Sequence, residues 1–135
     1  MQLVSSDAPI LRKVCRPDFT ITADEINQML SLLREAGGLG LAAPQVGIDA
    51  RLFVTGWGEV FVNPRVVDIA RPTGTTEGCL SLPAIPAAVD RWARIRLADG
   101  HIYEDQQAVV ILHEIAHLDG VLITDYPRGR RHEGH

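Results

Sequence analysis

The stretch Ile111-Leu112-His113-Glu114-Ile115-Ala116-His117-Leu118-Asp119-Gly120 carries two histidines four residues apart. On an α-helix that spacing sets both imidazoles on one face, about a turn apart, within reach of a single metal ion. Glu114, beside the first histidine, could then serve as general base toward an attacking water without ligating the metal, as in hydrolases with the pattern HExxH. A charged helix with two incidental histidines satisfies the same three positions. A third ligand is what separates the two readings.

Working outward along that helix, Val109 and Val110 precede His113 by four and three residues, so they share its face and could line an apolar pocket beside the metal. A thioether side chain would suit such a lining. Further upstream, Thr76-Glu77-Gly78-Cys79-Leu80-Ser81-Leu82-Pro83 holds one of the two cysteines. A lone cysteine is usually a small buried residue. Cys79, however, lies beside a glycine and ahead of proline-punctuated backbone, which suits a side chain held at a fixed place. With His113 and His117 it would complete a set of one cysteine and two histidines, leaving a coordination position open as a catalytic site requires. Cys15 reads as a buried neutral thiol, and a disulfide between the two is not expected in a reducing compartment.

The remainder of the chain supplies the scaffold. Thr22-Ala23-Asp24-Glu25 is a capping box, followed by Ile26, Met29, Leu30 and Leu33 at helical spacing and stopped by Gly37 and Gly38. Strands are expected at 51–55 and 60–63, joined through Gly56-Trp57-Gly58 as a hairpin, and then at 66–69, 88–89, 93–97 and 101–103. The segment Gly38-Leu39-Gly40-Leu41-Ala42-Ala43-Pro44-Gln45-Val46-Gly47 formally contains a dinucleotide fingerprint. That motif needs a strand before it and a helix after it, whereas here a helix precedes and Pro44 follows, so the nucleotide reading is rejected. What remains is tight backbone able to approach a ligand closely, with Gln45 as either a loop-ordering amide or a donor to a developing oxyanion. The expected fold class is α+β, with mostly antiparallel sheets around a central HExxH helix and one N-terminal helix.

Global properties set the bounds. At 135 residues, with 46% hydrophobic and 22% charged residues, the chain reads as one ordinary globular domain over 1–135. Its net charge of −4 argues against a broad nucleic-acid surface, although Arg128, Arg130 and Arg131 make 126–135 a flexible basic tail in this reading. No apolar run approaches the roughly 18 residues of a membrane span, and no signal peptide is visible, so a cytoplasmic monomer is expected.

Three motifs in this order, Gly38-Leu39-Gly40-Leu41-Ala42-Ala43-Pro44-Gln45, Glu77-Gly78-Cys79-Leu80-Ser81 and His113-Glu114-Ile115-Ala116-His117, resemble the signatures of peptide deformylases. The likeness runs from Ala8-Pro9-Ile10-Leu11-Arg12 to Gly120-Val121-Leu122. It implies removal of the formyl group from the N-terminal formylmethionine of nascent peptides, near the ribosome, with ferrous iron (Fe2+) as the usual metal and Zn2+, Ni2+ or Co2+ able to replace it. By matching position, the resemblance makes Cys79, His113 and His117 the metal ligands and Glu114 the general base. It makes the Gln45 amide and the Leu80 backbone N–H the oxyanion donors. Leu39 and Gly40 match backbone that pairs with the substrate, Glu77 a glutamate at the mouth of the methionine pocket, and Arg91 an arginine near the substrate's exit path. The short sequence after Gly120 suggests a minimal version, of the kind a phage would express in its host's cytoplasm, without a C-terminal docking helix.

Two other classes stay open at this point: a metal-free hydrolase with Cys79 as nucleophile and His113 as its partner, and a catalytically weakened module that binds N-terminal peptides. The second draws on a departure from the family pattern, which usually has glutamine before the first motif histidine and aspartate before the second. Here Leu112 and Ala116 stand there, four apart on one stripe of the helix, so a polar pair has become an apolar one. If packing has replaced a polar network behind the ligands, Ala116→Asp places a carboxylate against apolar surface and lowers the melting temperature. A rise in that temperature would refute the exchange.

Overall fold

The computed structural model describes residues 1–125, apart from the side chains of 83–85. The basic tail expected at 126–135 lies outside the described residues. Among the described residues, two α-helices and six strands form the α+β frame that the sequence pattern implies.

Helix α1 spans Ala23–Ala36 and begins where the capping box places it. The Thr22 N–H donates to Glu25 Oε1 at 3.0 Å, while the Glu25 N–H donates to Thr22 Oγ1 at 3.1 Å. Its apolar stripe buries Met29 and Leu33 against Leu41, Leu52 and Val54. These last three belong to a small antiparallel sheet of β1 (Gly40–Ala42), β2 (Leu52–Thr55) and β3 (Val60–Val62), in that order. The β2–β3 hairpin forms through the expected Gly-Trp-Gly turn. β1 had been read only as tight backbone, because three residues give no alternation to detect.

A second antiparallel sheet holds β4 (Val66–Cys79), β5 (Leu82–Leu97) and β6 (Ile102–Glu104). The separate strands expected at 88–89 and 93–97 are parts of one 16-residue strand, and the strand expected at 66–69 runs on to Cys79. β4 and β5 form a long ribbon, in register from Ile69↔Ile95 to Glu77↔Ala87. The register then shifts before Cys79↔Leu82, with Gly78 alone on β4 facing 83–86 on β5. This irregularity turns the ribbon just where Cys79 leaves it.

Helix α2 (Asp105–Leu118) runs through the middle of the molecule. Ile111, Leu112, Ile115 and Leu118 are fully buried in one cluster with Phe53, Ile95 and Tyr103, so the helix contacts both sheets. Burying a Leu or Ile side chain contributes roughly 1.5–3 kcal/mol. Those four side chains help offset the cost of holding Glu114 and His117 out of water on the same helix.

The C-terminal end of α2 is tied down from two directions. The Leu118 carbonyl accepts from the Cys15 N–H at 2.8 Å and from Arg51 Nη1 at 3.0 Å, and Arg51 also pairs with Asp119 at 3.0 Å. Gly120 then turns the chain with φ +72°, so close to the N-terminal arm that an added Cβ would lie 2.6 Å from the carbonyl group of Arg12. Both the positive φ and the steric limit demand glycine there. Gly120→Ala is therefore expected to lower unfolding free energy by about 2–4 kcal/mol, seen as an earlier urea midpoint with unchanged slope.

Candidate metal centre

The α-helical spacing of His113 and His117 brings their rings to 5.0 Å between centroids, and the end of β4 delivers Cys79 beside them. One ligand atom from each of the three lies within 4.8 Å of the others. His117 Nε2 stands 3.3 Å from Cys79 Sγ. Thiolate and imidazole groups at such separations can converge on one ion with bonds of roughly 2.0–2.3 Å. The set is buried, small and made of soft and borderline donors, so it fits a divalent transition metal. The three ligands anticipated from the sequence are thus brought together.

His113 is oriented from behind. Its Nδ1 lies 2.8 Å from Glu77 Oε1, which leaves Nε2 for the metal side. Glu77 in turn is gripped by Arg91, with Nε to Oε2 at 2.9 Å and Nη2 to Oε1 at 2.8 Å. Glu77 borders the cavity, and its carboxylate is committed to Arg91 and His113. Arg91 is fully buried and reaches the site through Glu77. An inward-facing guanidinium on β5 needs a buried carboxylate, and Glu77 across the ribbon supplies it.

Burial alone raises the Glu77 pKa, but hydrogen bonds from Arg91 and His113, together with the Arg91 charge, outweigh it and hold the carboxyl down at about 2. Burial likewise opposes charge on His113, yet Glu114, Cys79 and Glu77 together pull its pKa up to about 10 in the metal-free protein. Metal binding therefore has to displace a proton there. Burial, with added repulsion from His113 and Arg91, keeps His117 neutral. Its Nδ1 has no hydrogen-bond partner among the described residues, and the buried Ala116 precedes it on the helix.

Glu114 is 3% exposed, with Oε2 3.9 Å from His113 Nε2 and Oε1 lacking any hydrogen-bond partner among the described residues. Burial raises its pKa to about 7, moderated by the positive charges of His113 and Arg91. That value suits a group that takes and returns a proton near neutral pH. Gly40 makes this placement possible: a Cβ on it would meet Glu114 Oε2 at 2.6 Å. The sequence reading valued Gly40 for substrate pairing and did not see this close approach.

Gln45 sits on the 3-10 turn Ala43–Val46 and is buried. Its Oε1 accepts from the Ala42 N–H at 2.9 Å, and its Nε2 lies 3.0 Å from Ser81 Oγ and 3.7 Å from Cys79 Sγ. The amide thus orders its own loop and also presents its NH₂ end beside the ligand cysteine. Leu80 belongs to the two-residue turn between β4 and β5, directly after Cys79.

A cavity of about 740 Å³ opens over this cluster. It is bordered by Leu39, Gly40, Gln45, Leu80, Val109 and Val110, which gathers the remaining residues singled out from the sequence. Thr73, Thr75, Ala93 and Gln106 also border it and were not anticipated. Gln106 could have been found, since it lies seven residues before His113 on the same helical face.

The sequence matches the family described as Polypeptide deformylase over residues 1–133. The peptide deformylase of Agathobacter rectalis is 38% identical over 139 residues, covering 93% of this chain and 88% of that protein. Among solved structures, the peptide deformylase of Thermotoga maritima is similar with a TM-score of 0.82 at 34% identity, covering 93% of this chain and 97% of the other. That of Legionella pneumophila gives 0.81 at 30% identity, covering 95% and 86%.

The Glu77 pKa lies below its ordinary value of 4.5, so the stability it contributes is fully present above about pH 4.5 and is lost as the pH falls toward 2. Glu77→Gln, which leaves Arg91 buried without its anion, is expected to cost about 3–5 kcal/mol at pH 7. Unfolding of the metal-free proteins in urea should show the two stabilities converging between pH 4.5 and 2. A constant gap over that range would assign the loss to something other than the carboxylate.

Proposed function

The chain belongs to the polypeptide deformylase family, and from that premise we propose how its residues remove the formyl group from the N-terminal formylmethionine of nascent polypeptides and release formate. It is a metal-dependent amidohydrolase, with Cys79, His113 and His117 as its metal site. The observation that carries the assignment of roles is the convergence of that site on a buried glutamate with an unpaired oxygen, at the floor of a cavity large enough for a peptide terminus.

Held by Cys79, His113 and His117, a divalent cation, Fe2+ in our reading with Zn2+, Ni2+ or Co2+ as replacements, supplies a Lewis acid that acidifies water and polarises the formyl carbonyl. Glu114 takes the proton from the attacking water at its free oxygen and passes it to the departing amine. Its burial raises its proton affinity, which favours taking that proton. The Gln45 Nε2–H and the Leu80 N–H donate to the formyl oxygen as negative charge develops on it. Because Gln45 Oε1 is anchored on Ala42, the amide is preorganised for this and loses little freedom in the reaction.

The substrate peptide lies along the outer edge of β1 at Leu39 and Gly40, since β1 has a strand partner on one side only. Val109 and Val110 form the apolar wall against the methionine side chain. Glu77 and Arg91 act behind the ligands and do not touch substrate. We place the enzyme in the cytoplasm as a monomer acting close to the ribosome. No helix among the described residues is long and apolar enough to cross a membrane.

A metal-free cysteine mechanism with Cys79 and His113 would leave His117 and the buried Glu114 without a task. A pure binding module would have no use for a buried carboxylate with one oxygen lacking a hydrogen-bond partner among the described residues. Formate release from formyl-Met-Ala-Ser under anaerobic conditions, with metal analysis of the same samples, tests the assignment. Glu114→Ala is expected to lower kcat by roughly 10²–10⁴-fold while keeping about one equivalent of metal. Cys79→Ala should lose the metal and the activity together. Normal turnover by Glu114→Ala would remove it as the general base.

A further inference from the structure

An ionised carboxylate offers about four acceptor positions on its two oxygens. On Glu77, Oε1 takes Arg91 Nη2 and His113 Nδ1, each at 2.8 Å, and Oε2 takes Arg91 Nε at 2.9 Å and the hydroxyl of Thr75. Thr75 precedes Glu77 by two residues on β4, so both side chains stand on the same face of the ribbon. The same hydroxyl lies 3.1 Å from the carbonyl of Val89, the residue paired with Thr75 across the ribbon. It has one proton to donate, and the charged carboxylate is the stronger acceptor.

Each donor comes from a different element: Arg91 from β5, His113 from α2 and Thr75 from β4. The two Arg91 contacts come from one planar group, so they fix the plane of the carboxylate along a single edge. Thr75 supplies the fourth donor and closes the remaining position on Oε2. Thr75 also borders the cavity.

We propose that Thr75 is a positioning residue for the metal centre: its hydroxyl holds Glu77 in the pose that turns His113 Nε2 toward Cys79 and His117. The inference rests on the deformylase reading for the identity of the reaction alone, since the positioning acts on metal affinity before any substrate binds. The methyl makes none of these hydrogen bonds, so a variant can remove it and keep the hydroxyl.

The two parts come apart in two variants. Thr75→Val keeps the shape and removes the hydroxyl, and is expected to raise the dissociation constant for Zn2+, read by competition with a chromophoric chelator, about tenfold. Its KM for formyl-Met-Ala-Ser should stay within about twofold of wild type, because the wall of the cavity keeps its shape. Thr75→Ser keeps the hydroxyl, so its Zn2+ affinity should match wild type while its KM rises. Wild-type affinity in Thr75→Val, or equal weakening in Thr75→Val and Thr75→Ser, overturns the proposal. The affinity measurement needs no turnover, so it stands even if no formate is released, and that second outcome would count against the reaction instead. Should Thr75→Val fail to fold, Thr75→Ala takes its place with the same expected loss of affinity.

Discussion

Two charges withdrawn from water, the Arg91 guanidinium and the Glu77 carboxylate, organise the rest of this molecule. Burying either alone would cost several kcal/mol, and even paired they are not a strong source of stability. Their value lies in geometry. The fork of Arg91 fixes one arrangement of Glu77, and in that arrangement Oε1 has a second acceptor position that His113 takes. Strands β4 and β5 and helix α2 are thereby keyed together at a point directly behind the metal ligands.

The central helix has to satisfy two demands on one surface. Its apolar residues build the core, while His113, Glu114 and His117 put chemistry on the side that faces β1 and the end of β4. Space is the limiting quantity there. Gly40 gives up its side chain so that the Glu114 carboxylate can lie against the backbone, and the carboxylate is consequently sealed from water and made more basic. Packing and proton affinity are set by the same contact.

Much of this was legible in the sequence because it obeys short-range periodicity. The capping box at Thr22 and Glu25, the stripe of α1 and the histidine spacing of α2 are all local, and each forms where its pattern lies. Cys79 was found by chemistry, as the third ligand a pair of histidines needs. What escaped was non-local. The stretch of β4 from Ala70 to Thr76 is half exposed, with Pro72 and Gly74 interrupting it, so only its pairing with β5 makes it a strand. Glu77 and Arg91 entered the sequence reading by resemblance alone, as separate substrate-side residues, because a single sequence does not show that two residues fourteen apart face each other across a ribbon. The clearance between Gly40 and Glu114 likewise exists only once β1 has docked on α2.

The N-terminal arm reaches the far end of α2, where Arg12 packs under Gly120 and hydrogen-bonds Asp125 at a separation of 113 residues. A contact of that span closes nearly the whole described chain into a ring, and its entropic cost falls due before the contact itself stabilises anything. The protein is consequently built with high contact order, and chains of this kind fold slowly compared with helical bundles. During synthesis the early segments would wait, with their apolar faces uncovered, until the last helix emerges to receive them. A deformylase built this way cannot complete its own fold until nearly all of the described chain is available.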